Sequence, residues 1–146
     1  MQDVSASGIK ITVVAIPTYP FGITITSFSD DTDPLDVPEL QNAEATMGLN
    51  GDLIINRYPK PIEINISTIP GTPEAVALTN LLDANRVAKN KVAYQDHITL
   101  TVQYPDGMTK VLTNGAIVGG TVMSGVSSNG RLKTLVFKFV FESKVS

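Results

Sequence analysis

Asp30-Asp31-Thr32-Asp33-Pro34-Leu35-Asp36 is the densest run of chemically capable side chains in the sequence. Clustered carboxylates invite a hard cation, which seeks oxygen ligands. The EF-hand spacing, however, needs Gly at the sixth position and Glu at the twelfth. Counted from Asp31, those places hold Asp36 and Asn42. His97 is the single histidine and has no His-x-x-x-His or Glu-x-x-His companion with which to hold a metal. It reads as structural or solvated. Ser, His and Asp are all present, yet no Gly-x-Ser-x-Gly elbow presents a nucleophile. Gly48-Leu49-Asn50-Gly51-Asp52 lacks the Lys-Ser/Thr of a phosphate loop. With no cysteine in the chain, thiolate chemistry and disulfides are excluded. The expectation is a protein with no catalytic residues, no metal and no cofactor.

The charges are distributed unevenly, and this says more than their sum of −3. Residues 1–52 carry eight acids against Lys10 alone, whereas residues 53–146 carry six acids against ten Lys or Arg. No dense basic cluster is available to neutralise phosphates, so specific nucleic-acid binding is not expected. An acidic half and a basic half suit head-to-tail contact between copies, although a solvated surface can also carry such an asymmetry by chance. No stretch reaches the roughly 18 unbroken apolar residues of a membrane span, so no membrane partner is expected. The first residues carry an acid where a signal peptide wants bases, and their apolar run alternates and stops at Pro17, so they read as a first strand and not a signal peptide. A chain of 146 residues fits one domain, 1–146.

Most of the chain alternates with strand periodicity. Residues 9–16 and 21–28 form two such runs joined through Pro17, Tyr19 and Pro20, and together they predict a hairpin. IEINISTI sets Ile62, Ile64 and Ile66 on one face. HITLTVQY does the same with Ile98, Leu100, Val102 and Tyr104, and Pro105-Asp106-Gly107 turns it into TKVLT. NGAIVGGTVMSGV reads as a bent, glycine-weakened strand, and Asn129-Gly130 leads into RLKTLVFKFVFES, read as the longest strand. One helix is predicted over about residues 73–91. Thr72 caps it, Pro73 takes its first position, Val76, Leu78, Leu81, Leu82 and Val87 form its stripe, and Arg86, Lys89 and Lys91 load its C-terminal end. The fold expected is mainly β: an antiparallel sandwich or barrel of about seven strands with one flanking helix and a long loop over about residues 30–52.

That loop holds seven of the fourteen acids and none of the bases, yet Leu35, Val37, Leu40 and Met47 punctuate it. Solvated disorder does not normally carry such apolar content. The segment reads as an arm that contacts a neighbouring subunit through Asp30, Asp31, Asp33, Leu35, Val37, Leu40, Met47 and Asp52. Its candidate basic partners are Lys89, Lys91, Arg131 and Lys133.

From about Ile9 to Glu142, the organisation resembles the tail tube proteins of long-tailed, contractile-tailed bacteriophages. The resemblance is carried by "GLNGDLIINRYPKPIEINIS" after a long polar loop, "TPEAVALTNLLDANRVAKN", "ITLTVQYPDG" and "RLKTLVFKFVFES". It implies stacked, six-membered rings forming a conduit through which DNA passes without specific binding. It also implies a loop arm that reaches an adjacent subunit, and sheath, baseplate and tape-measure proteins as partners. The place would be the virion, after assembly in the host cytoplasm. Two alternatives stand beside it: a tube-initiating or baseplate ring of the same fold, and a β-sandwich ligand-binding module.

Overall fold

Alternation along a strand puts every second side chain on one face, and here those faces meet around a single core. The computed structural model describes residues 9–26, 35–89 and 95–145. Among them run β1 (Lys10–Ile16), β2 (Tyr19–Ile25), β3 (Leu35–Asp36), β4 (Ala43–Met47), β5 (Leu53–Arg57), β6 (Ile62–Thr68), α1 (Pro73–Ala84), β7 (His97–Gln103), β8 (Thr109–Gly120) and β9 (Leu135–Val145). Seven strands form one antiparallel sheet in the order β2-β1-β7-β8-β9-β6-β3, and β4 and β5 pair separately. The mainly β, antiparallel architecture with one flanking helix is therefore the one the sequence patterns require. No helix among the described residues is long and apolar enough to cross a membrane.

Register aligns the apolar rows. Ile62, Ile64 and Ile66 stand opposite Phe141, Phe139 and Phe137, and Ile11, Val13 and Ala15 opposite Val102, Leu100 and Ile98. Residues from β2 at one end of the sheet and β6 near the other join the same buried cluster, so the sheet curls around its own core. The helix α1 lies against β2 and β8 and buries Ala75, Leu78 and Leu81.

Three features depart from expectation. The helix ends at Ala84, not near residue 91. Asn85 leaves the helical conformation, and its side-chain amide donates to the Leu81 carbonyl at 2.9 Å and to Asp96 Oδ2 at 2.9 Å. In return its Oδ1 accepts from the Asp96 backbone N–H at 3.0 Å. Tying Asn85 to the entrance of β7 stops propagation, so Arg86, Val87 and Lys89 lie beyond the helix, Val87 well exposed. Val76 likewise faces outward, and Ala75 takes its place in the buried stripe.

TKVLT and NGAIVGG are one 12-residue strand, longer than β9. Asn114 takes a positive φ of 54° there, where the pairing with β7 shifts register. Its glycines make room for aromatic rings. A Cβ on Gly115 would stand 2.2 Å from Phe141, and one on Gly120 would stand 2.8 Å from Phe137. Asn129-Gly130 does form a turn, but only an isolated Val126–Leu132 bridge closes it, and β9 starts at Leu135.

The third departure concerns the long loop. Leu35 and Asp36 pair with Ile66 and Asn65 of β6, and residues 43–57 form a hairpin. Of the loop as read, only residues 37–42 and the turn at 48–52 are without strand among the described residues.

Candidate interaction arm

The β4–β5 hairpin follows from its turn. The Gly48 N–H donates to the Asp52 carbonyl at 2.8 Å and the Gly51 N–H to the Gly48 carbonyl at 3.0 Å. Gly51 supplies the φ of 83° that an L side chain rarely adopts. Beyond the turn, Met47 stands opposite Leu53, Thr46 opposite Ile54, Ala45 opposite Ile55, Glu44 opposite Asn56 and Ala43 opposite Arg57. Directly opposed residues share a face. One face of the ribbon therefore carries Ala45, Met47, Leu53 and Ile55, and the other carries Glu44, Thr46, Ile54 and Asn56. At the base, the Tyr58 N–H donates to the Asn42 carbonyl at 3.2 Å, and the Lys60 ammonium lies 5.6 Å from the centre of the Tyr58 ring.

The whole of the arm's apolar face is open. Ala45, Met47, Leu53 and Ile55 are all exposed, as are Ile54 on the opposite face and Leu49 at the tip, the last fully so. A two-stranded ribbon is marginal by itself in water, and contiguous exposed apolar surface of this kind marks an interaction site.

Sequence-predicted residues divide around it. Val37, Leu40, Met47 and Asp52 are exposed on or before the hairpin. Leu35 differs: it is half-buried against this chain's own core. Asp30, Asp31, Asp33 and Lys91 lie outside the described residues. Lys89 is exposed beyond α1, while Arg131 and Lys133 are exposed on the β8–β9 connection, where the Lys133 N–H donates to the Gly125 carbonyl at 2.8 Å. Reading the sequence did not single out Leu49, Leu53, Ile54 and Ile55, which stand exposed on the hairpin, because an apolar strand pattern alone does not tell which side chains the fold leaves open. It also missed a second open apolar patch, Val122, Met123, Val126 and Leu132, on the β8–β9 connection.

Elsewhere, polar chemistry serves the fold. Asp96 is buried, accepting from Thr18 Oγ1 at 2.5 Å and from Asn85, and so joins the β1–β2 turn, the helix end and β7. Its neighbour His97 is exposed. His97, Lys60 and Glu142 border a hollow of about 550 Å³ between residues 59–61 and β7–β9. Among the described residues no three His, Asp or Glu side chains gather as a metal site would require.

The sequence matches the family model described as tail fiber protein gp32 over residues 2–145. The chain belongs to this family of tail proteins. No curated protein matches it. Among solved structures it is similar to a sheath/tube terminator of an extracellular contractile injection system (PVC) in the extended state. That likeness has a TM-score of 0.57 and 11% identity, and covers 99% of this chain and 96% of the other. It is also similar to the tube-terminating cap of the anti-feeding prophage (AFP), with a TM-score of 0.58, 8% identity and 99% and 91% coverage. A chain of the AFP baseplate follows at 0.52, 10% identity and 99% and 95% coverage. At such identities the likeness is one of fold.

Proposed function

We propose that this chain is a structural subunit that closes into a ring on the axis of a phage-type tail, a tube-like conduit for DNA, with the β4–β5 arm bridging neighbouring subunits. The observation that carries the proposal is the arm's uncovered apolar face, Ala45, Met47, Leu53 and Ile55, on a ribbon that its own chain leaves unsupported. Two sheet edges that are open among the described residues support it. β2 is one, and β6 is the other, covered by β3 only at Asn65 and Ile66. Unpaired strand edges are templates for pairing with another chain, and adjoining copies would extend one sheet into the next. Family membership and the tube-terminator, cap and baseplate likenesses agree with a place on a tail axis. The charge asymmetry between the two halves of the chain suits stacking in one direction.

A second reading makes the chain a terminal or baseplate ring instead of the repeating tube subunit. The likeness to a tube terminator and a cap favours it. Negative-stain microscopy of concentrated protein tests both. Closed rings are expected; long tubes would favour the repeating subunit and single or paired rings the terminal one. Monodisperse monomers at every concentration would overturn the proposal.

A further inference from the structure

One end of the curled sheet opens into a second cavity. Its apolar wall comprises Leu35, Ile62, Val102 and Leu112, and Tyr104, Lys110 and Lys144 also line it. The volume is about 250 Å³, under the roughly 300–1,000 Å³ of small-molecule sites. Such a hollow suits one or two protein side chains better than a cofactor. Among the described residues neither Lys110 nor Lys144 is paired with a carboxylate. Two unpaired ammonium groups beside an apolar hole call for an occupant with an apolar knob and an acid next to it.

The tip of the arm has that composition. Leu49 is fully exposed, held at a turn fixed by the Gly48 and Gly51 hydrogen bonds, and Asp52 is exposed three residues on. The same chain's tip does not fill the cavity, because Leu49 has no cover. From this the geometry points to a second copy as the occupant: Leu49 of one subunit seats in the mouth formed by Leu35, Ile62, Val102 and Leu112 of another, with Asp52 meeting Lys110 and Lys144. Knob and hole then lie on different surfaces of one chain. Such a contact is heterologous and propagates head to tail, closing into a ring or extending as a stack. The inference rests on the assembly reading above and names the lysines that receive the arm, Lys110 and Lys144, which the sequence did not single out.

Because the chain has no cysteine, disulfide trapping has no background. Leu49→Cys chains and Lys144→Cys chains, prepared separately, mixed and oxidised with glutathione disulfide, should give a linked heterodimer in far higher yield than either alone. In a parallel test, Lys110→Glu with Lys144→Glu should raise the concentration at which assembly begins by about tenfold or more. Adding Asp52→Lys should bring it back. All these side chains lie at the surface or the rim, and circular dichroism checks that each variant folds. If the wild-type chain assembles but the Leu49→Cys and Lys144→Cys chains never link to each other, or Leu49→Cys chains link mainly among themselves, the seating is overturned and the ring reading stays intact. A wild-type chain that never assembles removes the ring reading and this inference together.

Discussion

Replacing Met47, Leu53 and Ile55 together by Ser should abolish assembly while leaving the subunit folded. The three residues are 70%, 62% and 46% exposed in the chain, so they hold nearly two side chains' worth of apolar surface still open to water. Fully burying one such side chain contributes about 1.5–3 kcal/mol, which gives about 3–5 kcal/mol per arm if a neighbour covers the face. At about 1.4 kcal/mol per decade, the contact should weaken by roughly two to four orders of magnitude. Sedimentation velocity across a concentration series reads this as a shift of the assembly threshold, and circular dichroism and thermal melting follow the fold. None of the three belongs to the buried cluster or packs on it, so strand content should match the wild type and Tm should move little. Leu35 is left out of the set because it packs on this chain's own core, and its loss would confuse the two readouts. An unchanged threshold would refute the reasoning, since the arm would then be an ornament on a contact made elsewhere. Collapse of the fold would refute it differently, by showing that the arm supports its own domain.

Two further outcomes follow from the interior and one from the acidic segment. Gly115→Ala sets a Cβ 2.2 Å from the Phe141 ring, and overpacking of this kind should cost about 1–3 kcal/mol, seen as a lower denaturant midpoint. Asp96→Ala leaves Thr18 and Asn85 without their shared acceptor. A loss of about 1–3 kcal/mol is expected by chemical denaturation; an unchanged midpoint would mean that the three elements are held by other contacts. Exhaustive EDTA treatment should leave melting unchanged, whereas a large calcium-dependent rise in Tm would restore an ion site to the acidic segment, because a ligand that binds only the folded state stabilises it.

The parts legible in the sequence were those decided locally. Thr72-Pro73-Glu74 announced the start of α1, and Thr72 Oγ1 does accept from the Ala75 N–H, at 3.3 Å. The rows Ile62-Ile64-Ile66 and Leu135-Phe137-Phe139-Phe141 announced the core because a strict period of two leaves one face to bury. What escaped was decided at a distance. The helix stops where Asn85 meets Asp96, eleven residues away, and the glycines of β8 answer to phenylalanines on β9. Basic residues at 86, 89 and 91 looked like the charged end of a helix because nothing local ends it sooner. The arm illustrates the same division. Its apolar content marked it for contact, but the hairpin that arranges that content depends on Gly48 and Asp52 closing a turn, and LIINR looks like any half-buried strand until its face is seen to be bare. Lys110 and Lys144 lie more than thirty residues apart in sequence, and the pairing of β8 with β9, which sets Lys144 opposite Leu112, brings them to one opening.

The central claim is that the arm of one subunit is completed by another. Cryo-electron microscopy of the purified assembly tests it most directly, by tracing residues 43–57 in the map. Closed rings are expected in which the face formed by Ala45, Met47, Leu53 and Ile55 is covered by a neighbouring chain. Rings whose arms project bare into solvent, or fold back onto their own subunit, would contradict it.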